Sequence, residues 1–215
     1  MTMKSASPRS PIRPWMVIAA VTAIVLVAAG FSTKVVSIAD ADAASAGGFD
    51  PATFASEHFD EITATITSDA IELPELLTEL ASGADEADFG NTSGASSAFA
   101  FPVTFEAVAG AFTEPVLPVT VEGVDPAITV QIQVGPAING TALRDVTGTI
   151  SFNQFTNQLE YQQVGTELNN LVRDEVLAAF DAAAAEGKTI RVTGTFLRVN
   201  PALVSVVPVS IEVIG

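Results

Sequence analysis

The sequence contains no cysteine. Disulfide stapling, thiol catalysis and thiolate metal sites are therefore closed, and so is the cysteine acylation that anchors a lipoprotein. Histidine occurs once, as His58. A single imidazole cannot supply the converging ligands of a zinc site. A Ser–His hydrolase would have one candidate base, with no G-x-S-x-G elbow to accompany it. No glycine-rich phosphate loop follows a strand pattern. Basic residues are scarce past residue 34: Arg144, Arg173, Lys188, Arg191 and Arg198 stand against all 25 acids. A surface this acidic repels phosphate backbones and anionic lipid. No cofactor or metal is expected.

What is present begins with an apolar run. "WMVIAAVTAIVLVAAGF" (15 to 31) carries no charge, and the uncharged window reaches from Pro14 to Thr33. At about 1.5 Å per residue this window spans roughly 30 Å, the thickness of a hydrocarbon core. Lys4, Arg9 and Arg13 precede it, which holds residues 1–14 in the cytoplasm and places the acidic bulk outside. The expectation is a single-pass transmembrane anchor over 15–33 with an extracytoplasmic C-terminal domain. The rival is a cleaved signal sequence, whose apolar region is usually shorter and whose small-residue cleavage site lies closer. Both export the domain.

Residues 34–49 read as a small-residue linker. Asp50-Pro51 supplies an N-cap and first helical position, and Phe54, Phe59, Ile62 and Ile66 follow at helical spacing. Pro74 opens a second short helix ended by Gly83, giving a helical extension over 50–82. Residues 83–98 read as a flexible acidic loop. Its Asp85, Glu86 and Asp88 fit no calcium-loop spacing and belong to a solvated segment.

From Phe99 the apolar period becomes two. Alternation predicts strands over 101–107, 128–134 and 146–152, then an amphipathic helix from an Asn157/Glu160 cap to Gly187, then strands over 190–196 and 207–213. Pro208 marks an edge or a gap in hydrogen bonding. Three strands, a helix and two strands is the order of an OB-fold, so 99–215 is expected to be an OB-like five-stranded barrel, mainly β with added α. The face such barrels use for oligonucleotides would present Thr129, Gln131, Gln133, Thr147, Thr149 and Ser151. Single-strand binding needs aromatic platforms and a basic groove. This face has neither, and nucleic acid is not expected as a partner.

One stretch is unusually polar: "GPAINGTALRDVTGTISFNQFTNQ" (135 to 158). Asn139, Thr141, Arg144, Asp145, Asn153, Asn157 and Gln158 are the candidate ligand or partner contacts. Arg144 offers a planar fork of donors, and side-chain amides suit a neutral polyhydroxylated ligand or a partner backbone. The alternative is structural: amides and hydroxyls that cap a loop and a helix start. No residue is a candidate catalyst.

The run "VGPAINGTALRDVTGTISFNQFTNQLEYQQVGTELNNLVRDEVL" resembles DUF2291, a predicted periplasmic lipoprotein family of unknown function, which has a similar G-x-A-I-x-G-T-A-L-R-D stretch followed by F-x-x-F-x-N-Q and a long helix. The resemblance covers about residues 15–215 and includes "FSTKVV". It implies an OB-like fold, no established activity, and an accessory setting beside sugar-type ABC uptake systems. The departure is the missing cysteine, for which a transmembrane helix would substitute. The resulting expectation is a membrane-tethered extracytoplasmic binding or accessory protein, not an enzyme, whose partners are ABC transporter components or a sugar solute. Two alternatives are a carboxylate-based envelope glycan enzyme and an envelope assembly protein that presents Phe54, Phe59 and Ile62 to partners.

Overall fold

The computed structural model describes residues 49–93 and 98–215. The anchor expected over 15–33, the tail before it and nearly all of the linker lie outside them. Among the described residues no helix is long and apolar enough to cross a membrane.

The described chain starts with helix α1 (Pro51–Asp69), capped by Asp50, whose carboxylate accepts the Ala52 N–H at 3.0 Å. A two-residue strand β1 (Ile71–Glu72) leads into helix α2 (Leu73–Ala81). A 3-10 turn (Glu86–Asp88) follows. The segment expected to be a flexible loop is fastened at both sides of that turn. Glu86 pairs with Arg198, and Asn91 exchanges backbone hydrogen bonds with Ala100 at 3.0 and 2.7 Å.

Five strands close the barrel: β2 (Ala100–Ala109), β3 (Val116–Val121), β4 (Thr129–Gln133), β5 (Thr189–Leu197) and β6 (Leu203–Val213). Their order is β2-β3-β4-β6-β5, with β5 returning to β2 along nine paired residues. The β4–β6 pair is parallel and the other barrel pairs are antiparallel, while β1 adds a short parallel pair to β2. This is the expected OB-like barrel, but its strand composition corrects the sequence reading. The strand expected over 146–152 does not form. Val146, Ile150 and Phe155 are buried there by an irregular chain crossing the helical layer, and the hydroxyls of Thr147 and Thr149 bond each other at 2.7 Å across a turn. Alternation in that segment reports a turn over a core, not a pleat. The missing strand is β3, hidden from composition by Pro115 and Pro118. Pro118 pairs with Gln131 and its carbonyl accepts the Gly110 N–H at 2.8 Å, so the absent donor interrupts the ladder only locally.

Between β4 and β5 lie a single-turn helix α3 (Ala142–Asp145), a 3-10 turn (Phe152–Gln154) and helix α4 (Gln158–Leu171). The expected helix to Gly187 is shorter. A π turn (Val172–Val176) follows α4, with the Leu177 N–H reaching back to the Val172 carbonyl at 3.0 Å. The wider turn advances the buried stripe by one residue. Tyr161, Val164, Leu168 and Val172 are followed inward by Leu177, not Val176.

Apolar burial falls into two clusters. The barrel interior holds Phe101, Phe105, Leu117, Ile132, Ile190, Phe196 and Val206, joined by Leu73, Leu76, Leu77 and Leu80 of α2. The helical layer joins Ala55, Phe59, Ile62 and Ile66 of α1 to Val164, Leu168 and Val172 of the α4 region. Burial of each such side chain is worth about 1.5–3 kcal/mol. Phe59 and Ile62, offered above as a partner-facing surface, are thus consumed inside the domain, and the assembly reading loses the exposed face it needs. Pro208 meets the expectation of a gap: it faces Gly194 at a register shift between Thr193 and Gly194. A Cβ on Gly194 would lie 2.3 Å from the Val207 carbonyl oxygen, so only glycine lets the two strands approach.

Candidate functional site

The polar stretch splits into a buried knot and two exposed groups, all organised by α4. The knot forms because α3 presents Arg144 and Asp145 toward Tyr161 at the start of α4. Arg144 and Asp145 are 4% and 3% exposed. The guanidinium grips the carboxylate with both prongs, Nε to Oδ1 at 2.7 Å and Nη2 to Oδ2 at 3.1 Å. Its third nitrogen donates to the Tyr161 carbonyl at 3.2 Å, and its centre lies 3.6 Å from the Tyr161 ring centroid. The Thr141 hydroxyl donates to Asp145 at 2.6 Å, and the Tyr161 hydroxyl does so at 3.4 Å. Burial raises the Tyr161 phenol above its ordinary range. The Arg144 charge opposes that rise, and the Asp145 charge and hydrogen bond reinforce it. The structure brings Thr141, Arg144 and Asp145 together, with Arg144 and Asp145 turned inward and Thr141 half-buried at the edge of the knot.

The first exposed group is the loop after β4. Gln133 clamps it twice: its carbonyl oxygen accepts the Asn139 N–H at 2.8 Å and its amide donates to the Asn139 carbonyl at 3.2 Å. Gly140, at φ +97°, takes the left-handed turn that follows. Asn169, buried in the last turn of α4, donates to the carbonyls of Gly140 and Ile138 at 2.9 and 3.3 Å. The Asn139 side chain is left at the surface next to Gln133, from which the outward residues of β4, Gln131 and Thr129, run away along the strand opposite Val116, Pro118 and Thr120 of β3. Gln131 reaches across to the Ser205 hydroxyl at 3.1 Å. A shallow groove of ≈ 330 Å³ runs along the far part of this face, lined by Pro118, Thr120, Ile128 and Thr129 among others.

The second exposed group holds Asn153, Asn157 and Gln158. Asn157 caps α4, its carbonyl oxygen accepting the Glu160 N–H at 3.0 Å. Glu160 answers by accepting the Thr156 N–H at 2.9 Å. The capping box expected from spacing is present, shifted by one residue at its return bond. From Gln158 to Asn169 the helix rises about 16 Å, so the two groups are separate surfaces.

Sequence reasoning missed Asn169 and the Gln133 clamp. The available signal was an amide next to the buried stripe at 164, 168 and 172, where a polar side chain must find backbone partners. His58 stacks on Phe54 at 4.1 Å, and its Nδ1–H donates to the Phe54 carbonyl at 2.8 Å.

Electrostatics follow the same pattern of internal satisfaction. Arg191 bonds both Glu106 and Glu212, and Arg173 bonds Asp174. With Arg144 and Arg198 also paired, every arginine of the described residues is spoken for. Among the described residues no three potential ligands gather to hold a metal. Glu72, Glu106 and Glu122 line one groove together with Arg191, and the Glu106 side chain there is 55% exposed.

The family model described as "Predicted periplasmic lipoprotein (DUF2291)" matches residues 21–212. The chain belongs to DUF2291. Among solved structures, this DUF2291 chain is similar to the crystal structure of an OB-fold protein from Thermotoga maritima msb8, at 18% identity and a TM-score of 0.62, with 78% of this chain and 99% of that one covered. At that identity the likeness speaks to the fold alone, and it agrees with the closed barrel above. No curated protein matches the DUF2291 chain.

Proposed function

We propose that this chain is a membrane-tethered extracytoplasmic binding or accessory module of a solute-uptake system of the sugar-type ABC class, without a catalytic centre of its own. The observation that carries the reading is the neutral polar face of the barrel. Around the outward Val116 and Pro118, the side chains of Thr120, Thr129, Gln131, Ser205 and Asn139 offer amides and hydroxyls with no arginine or aromatic platform. In an otherwise acidic domain, such a face suits a neutral polyhydroxylated solute or the backbone of a partner subunit. Asn139 is the contact retained here from the polar stretch. Arg144, Asp145 and Thr141 act beneath it by holding α3 on α4.

The test is crosslinking from native membranes, run beside thermal shift with a panel of neutral sugars. Wild type should recover a permease or solute-binding subunit, or gain stability with a sugar. Gln131→Ala combined with Asn139→Ala should lose either response while keeping its unfolding temperature. Equal capture and equal shifts by wild type and the double variant would count against the face.

A further inference from the structure

The surface around the start of α4 is nearly free of charge. Residues 151–163, "SFNQFTNQLEYQQ", contain one charged side chain, Glu160. Its carboxylate is already engaged by the Thr156 N–H at 2.9 Å and the Asn157 amide at 3.0 Å. Two large apolar side chains of this segment are exposed, Phe152 at 43% and Leu159 at 55%. Around them lie Asn153, Gln154, Asn157 and Gln158, all exposed. The segment lacks the basic face of a membrane-surface helix, but exposed apolar side chains can enter the headgroup boundary while the amides beside them hydrogen-bond neutral headgroups.

Position supports the same occupant. Phe49, where the described chain begins, packs on Phe155 at 5.2 Å. Phe155 packs on Tyr161 at 5.3 Å, and Tyr161 on Phe152 at 5.8 Å. The chain therefore enters the domain three ring contacts from the exposed Phe152. Backbone geometry limits the distance between Thr33, at the end of the uncharged window, and Phe49 to at most about 55 Å.

We infer that the surface carrying Phe152 and Leu159 is the membrane-facing side of the domain, lying against zwitterionic lipid headgroups with both side chains dipped into the interface. The inference rests on the tethered reading proposed above. Two side chains would hold a free protein only weakly. On a tethered chain the encounter is intramolecular, and the millimolar effective concentration of a short link populates a weak contact. The orientation leaves the β3–β4 face to other contacts.

The absence of cysteine makes the test direct, because one introduced thiol labels one site. Phe152→Cys, Leu159→Cys and Val108→Cys would each carry an environment-sensitive fluorophore on the full chain, reconstituted into phosphatidylcholine vesicles. Val108 is the control: it is 49% exposed and lies eight residues along β2 from Ala100, whose side chain packs in the helical layer. That separation is about 26 Å along the strand. Labels at 152 and 159 should show blue-shifted emission and quenching by lipids spin-labelled near the headgroup, and the label at 108 neither. Leu159 keeps the test valid if Phe152→Cys disturbs the rings around Tyr161. Floating vesicles with all three labels equally water-exposed would overturn the membrane-facing assignment and leave the tether intact. A chain that does not float with the vesicles would overturn both. Burial of the 152 and 159 labels only after a partner protein is added would also overturn it, in favour of a protein contact.

Discussion

Replacing Arg144 by methionine removes the counter-charge of Asp145 and leaves a carboxylate 3% exposed among apolar neighbours. Thr141 and Tyr161 still donate to it, but neither carries charge. Breaking a buried pair from one side costs about 3–5 kcal/mol. A domain of this size holds about 5–15 kcal/mol in all. At about 2–4 °C per kcal/mol, the single variant should unfold roughly 6–20 °C below wild type. Arg144→Met combined with Asp145→Leu removes both charges at similar volume, and paired replacement of this kind is often neutral or stabilising. The double variant should therefore be more stable than Arg144→Met alone, held below full recovery by the Tyr161 hydroxyl that loses its acceptor. Far-ultraviolet circular dichroism during heating, repeated as a urea titration, reads both. A single variant within about 1 kcal/mol of wild type, the range of surface ion pairs, would refute the reasoning. So would a double variant less stable than the single. Loss of a partner by Arg144→Met under conditions where it is unfolded reports this packing and no contact at all.

Three further outcomes follow from the same geometry. Asn169→Ala should cost about 1–3 kcal/mol, because the carbonyls of Ile138 and Gly140 lose their buried donor; hydrogen exchange should then rise first in the 138–141 loop. Gly194→Ala should destabilise by about 1–3 kcal/mol in denaturant titration, since its Cβ meets the Val207 carbonyl oxygen, whereas Gly83→Ala would meet no atom and cost only the strain of an alanine at positive φ. Tyr161 is the single tyrosine, so phenolate absorbance titrates one group, and it should ionise above the ordinary value of 10.0. A phenol whose folded pKa is raised contributes stability fully present below its unfolded value, and that contribution is lost as pH rises through the folded value. The thermal midpoint should accordingly fall as alkaline pH crosses that window, and fall less in Tyr161→Phe.

The barrel was legible where alternation and burial coincide, as along β2, β4 and β5. β6, expected from Val207, begins at Leu203, and its buried valines are Val204, Val206 and Val207 while Val213 is exposed. The barrel was misread where alternation and burial part. Thr147 and Thr149 alternate with buried positions through a side-chain turn, while β3 alternates cleanly but carries a proline at its centre. The helix after Asn157 was placed correctly at its start because a cap is local chemistry. Its end was not, because a π turn leaves no mark on a 3.6-residue pattern. In the candidate site, residue type identified a polar cluster but not its direction. Arg144 and Asp145 are neighbours in sequence, and nothing in that spacing tells whether their pair faces water or Tyr161. Asn169 stayed hidden because its partners are carbonyls some thirty positions away.

The placement of β6 has a consequence for biogenesis. The last strand lies between β4 and β5, and β5 in turn seals against β2 across pairings such as Ala100 with Leu197. None of these seams can form until the C-terminal residues are available, and pairings so distant along the chain are slow to close. A polypeptide made from its N-terminus thus remains unsealed until β5 and β6 have been made. In a family described as predicted periplasmic, a barrel that closes only once β6 is available leaves the chain open to transport in an unfolded state until then.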